Sequence, residues 1–249
     1  EVARRAPRRE RLERLATGAA LTGEVTPRLR AEVLAQGELL ASELAAAFLE
    51  RLDLPVEWRD ARELLRSAPA PNQSERAAYL NAICDPDPDP ALQARLAAGA
   101  PLALTQGFIA RNAAGETVVL GRGGSDTSGA YFAAKLDAAL YEVWTDVPGM
   151  YTADPRLVEQ ARLLKALDYD EAQEVASTGA KVLHPRCIDP VRRRGIPLVI
   201  RCTGDPAAPG TTVGNEGAGS MGGEGRVKAI SVRKDVTLVS METVGMWQQ

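Results

Sequence analysis

The segment Gly121-Arg122-Gly123-Gly124-Ser125-Asp126-Thr127-Ser128 places three glycines in four positions directly before a periodic run, Tyr131, Phe132, Lys135 and Leu136. A residue without a β-carbon reaches positive φ and leaves its amide uncovered, and a helix opening at such a turn presents free N–H groups to anions. The chemistry this suggests is the holding of a phosphate or carboxylate. About twenty residues further on, Trp144-Thr145-Asp146-Val147-Pro148-Gly149-Met150-Tyr151-Thr152-Ala153-Asp154-Pro155-Arg156 adds hydroxyls, carboxylates and a guanidinium around a Pro-Gly turn. Alone, the glycine cluster is equally compatible with a tight strand-to-helix turn. The second motif favours two loops that share one ligand.

These motifs need a scaffold. Val118 to Leu120 reads as the strand entering the glycine turn, a helix opens at Ser125, and Ala138 to Thr145 reads as the strand entering the second loop. Upstream, Thr26-Pro27 has the form of a helix cap, with Leu29, Val33, Leu34, Leu40, Leu44 and Phe48 recurring at helical spacing as its packing face. Val56 to Trp58 is a short strand, and Asp85-Pro86-Asp87-Pro88-Asp89-Pro90 is an extended loop, because each residue before proline is pushed out of the α region. Leu102 to Ala110 reads as one apolar strand, with a turn at Asn112 to Gly115. Helices from Tyr169 to Ser177 and from His184 to Arg194, then a strand from Ile196 to Cys202, complete an alternation that predicts a largely parallel sheet covered on both faces.

Composition narrows the function classes. Hydrophobic residues make up 45% and charged residues 25% of 249 residues, as in a globular protein. A net charge of -3 argues against general nucleic-acid affinity. The early arginines Arg4, Arg5, Arg8, Arg9, Arg11 and Arg14 read as a solvated helical face. Cys84, Cys187 and Cys202, with the single His184, have neither disulfide nor zinc spacing, which suits a reducing compartment. No apolar run is long enough to span a bilayer and no signal peptide is visible, so the sequence predicts a cytoplasmic protein without membrane or nucleic-acid partners.

Five motifs in order, Gly37-Glu38, Thr105 to Ile109, Gly121 to Asp126, Trp144 to Arg156 and Gly179 to Pro185, resemble the aspartokinases of the amino-acid kinase family over about residues 28 to 249. The resemblance implies a three-layer α/β/α sandwich with a mainly parallel sheet over residues 1–213, a Gly-rich linker over 214–225 with six glycines, and the start of an α+β ACT regulatory domain over 226–249. It implies transfer of the γ-phosphoryl of ATP, carried with Mg2+, to the side-chain carboxylate of L-aspartate, for lysine, threonine and methionine biosynthesis. That acceptor is ionised at neutral pH, so the chemistry asks for anion alignment and no general base.

The resemblance assigns roles residue by residue. Arg122 would hold the substrate α-carboxylate through a bidentate fork, Glu38 its ammonium, and Gly124 and Ser125 would line the same subsite. Asp126 would orient the phosphoryl group and a motif lysine. Phe108 lies on the substrate side in the family, with core packing equally open. Thr145, Asp146, Tyr151 and Arg156 match nucleotide positions, and Lys181 a phosphate-facing lysine beside Val182. No residue is expected to form a protein-held metal site. His184 is expected to serve structurally at a helix start.

The family's opening strand with its Lys-Phe-Gly-Gly motif and the remainder of its paired ACT domains do not occur in these 249 residues. The resemblance therefore implies that this stretch alone folds at least partly but is inactive, and that lysine or threonine effectors and homo-oligomerisation belong to the full-length protein. Gly129 to Ala134 also resembles the proteins that fuse aspartokinase to diaminopimelate decarboxylase. Alternatives are a sister kinase acting on another carboxylate, a noncatalytic fragment that binds nucleotide or a regulatory partner, and, formally, a Rossmann oxidoreductase. Against the last, the glycine turn lacks the third glycine of a dinucleotide fingerprint.

Overall fold

The computed structural model describes residues 2–68, 71–178, 182–215, 227–232 and 237, with side chains from residue 8 onward. Two long helices open the chain, α1 (Val2–Thr22) and α2 (Pro27–Glu50). The Thr26 side chain accepts the Leu29 amide at 3.2 Å with Pro27 at the first helical position, which is the cap the sequence predicts. The face of α2 that packs is not the predicted one. Ala31, Ala35, Leu39, Ser42 and Ala46 are buried, whereas Val33, Leu34, Leu44 and Phe48 are exposed. Small side chains let the helix axis approach β4 (Thr117–Val119) closely, and the large apolar residues are left on the outer side.

The arginine face of α1 also differs from expectation. Arg8 pairs with Glu43 of α2 and stacks 5.7 Å from the Trp58 ring, and Arg11 pairs with Glu32 at 3.1 Å. Part of this face therefore docks α1 onto α2 and is not purely solvated.

The described strands form three sheets. β1 (Val56–Trp58) pairs parallel with β2 (Leu102–Leu104), and β3 (Ile109–Arg111) pairs antiparallel with β4. A four-stranded sheet has the order β5-β7-β8-β6, built from β5 (Tyr141–Thr145), β6 (Ala166–Leu167), β7 (Leu198–Cys202) and β8 (Thr211–Val213). β5 and β7 run parallel, as do β6 and β8, while β7 and β8 are antiparallel. The predicted single strand Leu102 to Ala110 is thus two strands. It breaks because Gln106 turns inward, its carbonyl oxygen accepting the Ala61 amide at 2.8 Å and its amide nitrogen donating to Ser42 at 2.7 Å.

Between the strands lie the short helices α3 (Ala61–Leu64), α4 (Glu75–Leu80) and α5 (Pro90–Ala97), then α6 (Gly124–Leu136), α7 (Tyr169–Thr178) and α8 (Ile188–Arg194). A 3-10 turn, Pro185–Cys187, precedes α8, so the predicted helix start at His184 is a tighter turn feeding the helix. The core of the described residues has three clusters, one of which joins Leu65, Val118 and Leu120 beside α6. Leu39, Ile109 and Val119 gather α2 and the hairpin, while Leu167, Ile188, Leu198 and Ile200 gather α7, α8 and the four-stranded sheet. Each of these side chains is essentially inaccessible to solvent, which stabilises by about 1.5–3 kcal/mol apiece. No described helix is long and apolar enough to cross a membrane.

Residues 227–232 form no strand. The Ile230 amide donates to the Thr152 carbonyl at 2.8 Å, Ser231 bonds Thr178 at 2.6 Å, and Lys228 pairs with Glu171. The rest of the expected linker and ACT start, 216–226, 233–236 and 238–249, lies outside the described residues.

Candidate active site

The chain leaves β4 and turns through Gly121 (φ +75°) and Gly123 (φ +64°) into α6. The left-handed Gly123 caps the helix without a side-chain bond. Its carbonyl accepts both the amide and the hydroxyl of Thr127, at 2.9 and 2.8 Å, and the Gly124 amide bonds the Gly121 carbonyl at 3.0 Å. The amides of Ser125 and Asp126 stay free of a backbone acceptor among the described residues. Two free N–H groups at the positive end of a 13-residue helix form an anion seat.

The turn is wedged between neighbours. A β-carbon at Gly107 would lie 3.0 Å from Ser125 Cα, one at Gly124 would lie 2.6 Å from the Phe108 ring, and one at Gly123 would overlap the His184 side chain. The Thr105–Ile109 and Gly121–Asp126 motifs, distant in type, are therefore in direct contact. Phe108 has φ +69°, a left-handed backbone that a bulky residue adopts at a cost of about 1–2 kcal/mol. Ser128 Oγ accepts its amide at 3.1 Å and its carbonyl accepts the Leu120 amide at 2.8 Å, which hold it there. It touches the cluster of Leu39, Ile109 and Val119 on one side and Gly124 on the other.

Asp126 is half-buried in the first turn of α6, and its carboxylate accepts the His184 amide at 3.3 Å. Burial raises its pKa above the usual aspartate value, with the His184 amide and imidazole opposing. The pKa of His184 is lowered by burial and then by the Arg186 and Arg122 charges, against the pull of Asp126. Its Nδ1 accepts the Arg186 amide at 3.3 Å, so the neutral ring carries its hydrogen on Nε2. This is the structural role the sequence expects, and the histidine also walls the glycine turn.

Arg122 is exposed and makes no ion pair among the described residues, although its charge reaches His184. Ser125 is exposed and Gly124 buried beside it. Glu38 is half-buried on α2, next to Leu39, and it too has no ion pair among the described residues. Arg122 and Asp126 thus flank the helix start with a free cation and a half-buried carboxylate, while Glu38 stands on α2.

The second loop is set by the four-stranded sheet. Tyr141, at the start of β5, donates its hydroxyl to the Asp126 carbonyl at 2.8 Å, which ties this strand to α6. Thr145 ends the strand, with its carbonyl accepting from the amide and hydroxyl of Thr203 and its hydroxyl donating to Asp146 at 3.1 Å. Asp146 is exposed. The loop returns through buried Met150, whose amide donates to Thr211 Oγ1 at 2.9 Å, and Tyr151 forms a bridge to Leu163. Arg156 is exposed and forked onto Asp154 at 2.8 and 3.0 Å. Val182 packs against the larger core cluster, and Lys181 lies outside the described residues.

Sequence reasoning overlooks Arg186. It donates to Asn81 at 2.7 Å and to the carbonyls of Leu120 and Ala82 at 2.6 and 2.9 Å, clamping the end of β4 where the glycine turn begins. Its position directly after His184-Pro185 is the only signal in the sequence. Thr105 Oγ1, in the segment against the turn, is buried without a hydrogen-bond partner among the described residues. Among those residues no cluster of acidic, Cys or His side chains could hold a metal by itself. The donor set fits a Mg2+ brought by the phosphates and met by one carboxylate, the ordinary mode for that ion.

Residues 3–202 match the Amino acid kinase family. The lysine-sensitive aspartokinase 3 of Escherichia coli is 34% identical over 96% of this chain and 52% of its own length. The bifunctional aspartokinase/homoserine dehydrogenase 2 of the same organism is 38% identical over 93% of the chain and 27% of its own length. Among solved structures, E. coli aspartokinase III in complex with aspartate and ADP superposes with a TM-score of 0.74 at 37% identity, covering 86% of this chain and 47% of that one. The aspartate kinase of Clostridium acetobutylicum gives 0.63 at 28% identity, over 80% and 42%. The chain therefore spans about half the length of aspartokinase 3, and about a quarter of the bifunctional relative.

Proposed function

The chain belongs to the amino-acid kinase family and has its fold, and on that premise we propose that the protein phosphorylates the side-chain carboxylate of L-aspartate with ATP. A carboxylate oxygen attacks the γ-phosphorus, the bond to the β,γ-bridging oxygen breaks, and aspartyl phosphate and ADP result. The observation that carries this reading is the glycine turn at the free start of α6, flanked by exposed, unpaired Arg122 and by Asp126. An ionised acceptor needs no base, so the work falls to alignment and charge.

In this reading Arg122 forks the α-carboxylate, Glu38 receives the ammonium, and Gly124, Ser125 and Phe108 line the aspartate. Asp126 orients the phosphoryl group, with the Ser125 and Asp126 amides aimed at developing charge. Thr145, Asp146, Tyr151, Arg156, Lys181 and Val182 hold the nucleotide. When bound, Mg2+ neutralises phosphate charge and draws the oxygens into line. Arg156 reaches a phosphate only by exchanging its contact with Asp154. The lysine-sensitive aspartokinase 3 of E. coli, whose structure is known in complex with lysine and aspartate, supports a feedback amino acid, lysine or threonine, as a further ligand of the full-length protein, which we take to be an oligomer assembled through regions beyond residue 226.

Hydroxylamine trapping of the acyl phosphate tests the substrate, with aspartate, glutamate and glycerol compared side by side in the full-length protein. Aspartate alone should give the hydroxamate. Equal product from glutamate would refute the assignment and favour a sister kinase.

A further inference from the structure

A concavity of about 340 Å³ lies at the far end of α6 from the glycine turn, between the end of α3, the Asp85–Asp89 loop and α5. None of the residues assigned to the kinase site lines it. Three cations do, Arg66, Arg95 and Lys135, and so do three carboxylates, Glu63, Asp85 and Asp89. Despite this shared wall, none of the three cations forms an ion pair among the described residues.

Lys135 is the unusual member. Only 8% of it is exposed, and among the described residues its ammonium has a single protein acceptor, the Asp87 carbonyl at 3.5 Å, the outer limit of a hydrogen bond. An ammonium carries three donors. A buried charge so poorly satisfied is expensive unless a partner meets it, and the open side of this one is the concavity. The carboxylates are partly engaged. Asp85 accepts the Asp87 amide at 2.9 Å, and Asp89 caps α5 through the Leu92 amide at 2.9 Å, each through one oxygen.

The wall sums to zero charge with both signs unpaired. A dianion would meet three carboxylates and a diamine three cations, whereas a molecule with one end of each sign matches the lining. We propose that this concavity binds a small zwitterion, its carboxylate on Lys135 and the neighbouring guanidinium groups and its ammonium on the acidic side. The volume suits a ligand of a few heavy atoms beyond the two charged ends.

The test uses three probes of equal chain length and different charge: 5-aminopentanoate, glutarate and cadaverine. Each is titrated calorimetrically into the full chain, with hydrogen exchange followed over residues 85–97. The zwitterion should bind about tenfold or more tighter than either probe and slow exchange in that segment, as expected when a charge-assisted contact is satisfied at both ends. Lys135→Met, close in shape and uncharged, should remove the binding. Arg95→Gln, on the exposed side of α5, should weaken it without altering the fold and serves if the buried substitution unfolds the chain. Glutarate binding as tightly as the zwitterion would overturn the proposal in favour of a simple anion site. Absence of heat and protection at about 10 mM 5-aminopentanoate, where a millimolar site is largely filled, would overturn it outright.

Discussion

Gly123→Ala probes the junction on which the candidate site depends. Two penalties apply, and the structure separates them. The residue sits at φ +64°, where an alanine costs about 1–2 kcal/mol. Its new β-carbon would also overlap Cβ, Cγ and Cδ2 of His184, and relieving such overpacking typically costs about 1–3 kcal/mol. The sum is roughly 2–5 kcal/mol, a large part of the stability of an ordinary domain. All three overlapped atoms belong to one side chain, so His184→Gly removes them together. Alone, that change costs about 1–2 kcal/mol through the lost bond to the Arg186 amide and the added backbone freedom. In the double variant the steric part of the Gly123→Ala penalty should vanish while the backbone part stays, giving a favourable coupling of about 1–3 kcal/mol. Urea unfolding of the four proteins, followed by tryptophan fluorescence, measures it. Additivity within about 0.5 kcal/mol would refute the reasoning, because it would mean that position 123 is not pressed against position 184.

Arg122→Ala should weaken aspartate about tenfold or more while leaving ATP affinity nearly unchanged, since a charge-assisted fork contributes about 1.5–3 kcal/mol; steady-state KM values for both substrates, equally affected, would count against its role. Asp126→Asn should stabilise the protein at neutral pH. Burial raises the native pKa of Asp126 above the unfolded value, so the native state binds the proton more tightly. Stability is then present at low pH and lost as pH rises through the window from the ordinary aspartate value to the native one. Wild type and variant should converge in acid and separate above that window, and a variant stabilised equally at every pH would contradict the assignment. Arg186→Leu should cost about 2–4 kcal/mol in urea unfolding, because its guanidinium serves two backbone carbonyls and Asn81 that a leucine leaves unmet; a loss under about 0.5 kcal/mol would remove it as a clamp.

Local chemistry made much of this molecule readable before its structure. Thr26-Pro27 marks a cap, the glycine turn enters a helix, and Tyr169 to Ser177 is helical because capping and turn rules act over a few residues. The errors come where distant partners decide. The large apolar residues of α2 follow helical spacing, yet the buried stripe is the small one, which depends on how near β4 comes. The apolar run from Leu102 breaks because Gln106 finds partners at Ala61 and Ser42, some 45 and 64 residues away. Arg186 carries no mark of its clamp, since its acceptors are mostly carbonyls, which look alike in any sequence. Of the candidate site, the motifs fixed the residue types around the start of α6, while the wedging of Phe108, Gly124 and His184 against one another is visible only in three dimensions.

The segment 227–232 is attached in an unusual currency. Val227, Ile230 and Val232 are 80%, 65% and 61% exposed, so most of their apolar surface stays in water. Among the described residues, what holds it is one main-chain bond to Thr152, one hydroxyl pair and one ion pair. Apolar packing resists salt, whereas an ion pair near the surface weakens as ionic strength rises. The domain and this strap therefore answer to different variables. Raising salt loosens the strap from α7 and the second loop while the buried clusters stay closed, and hydrogen exchange at the Ile230 amide registers that opening separately from global unfolding.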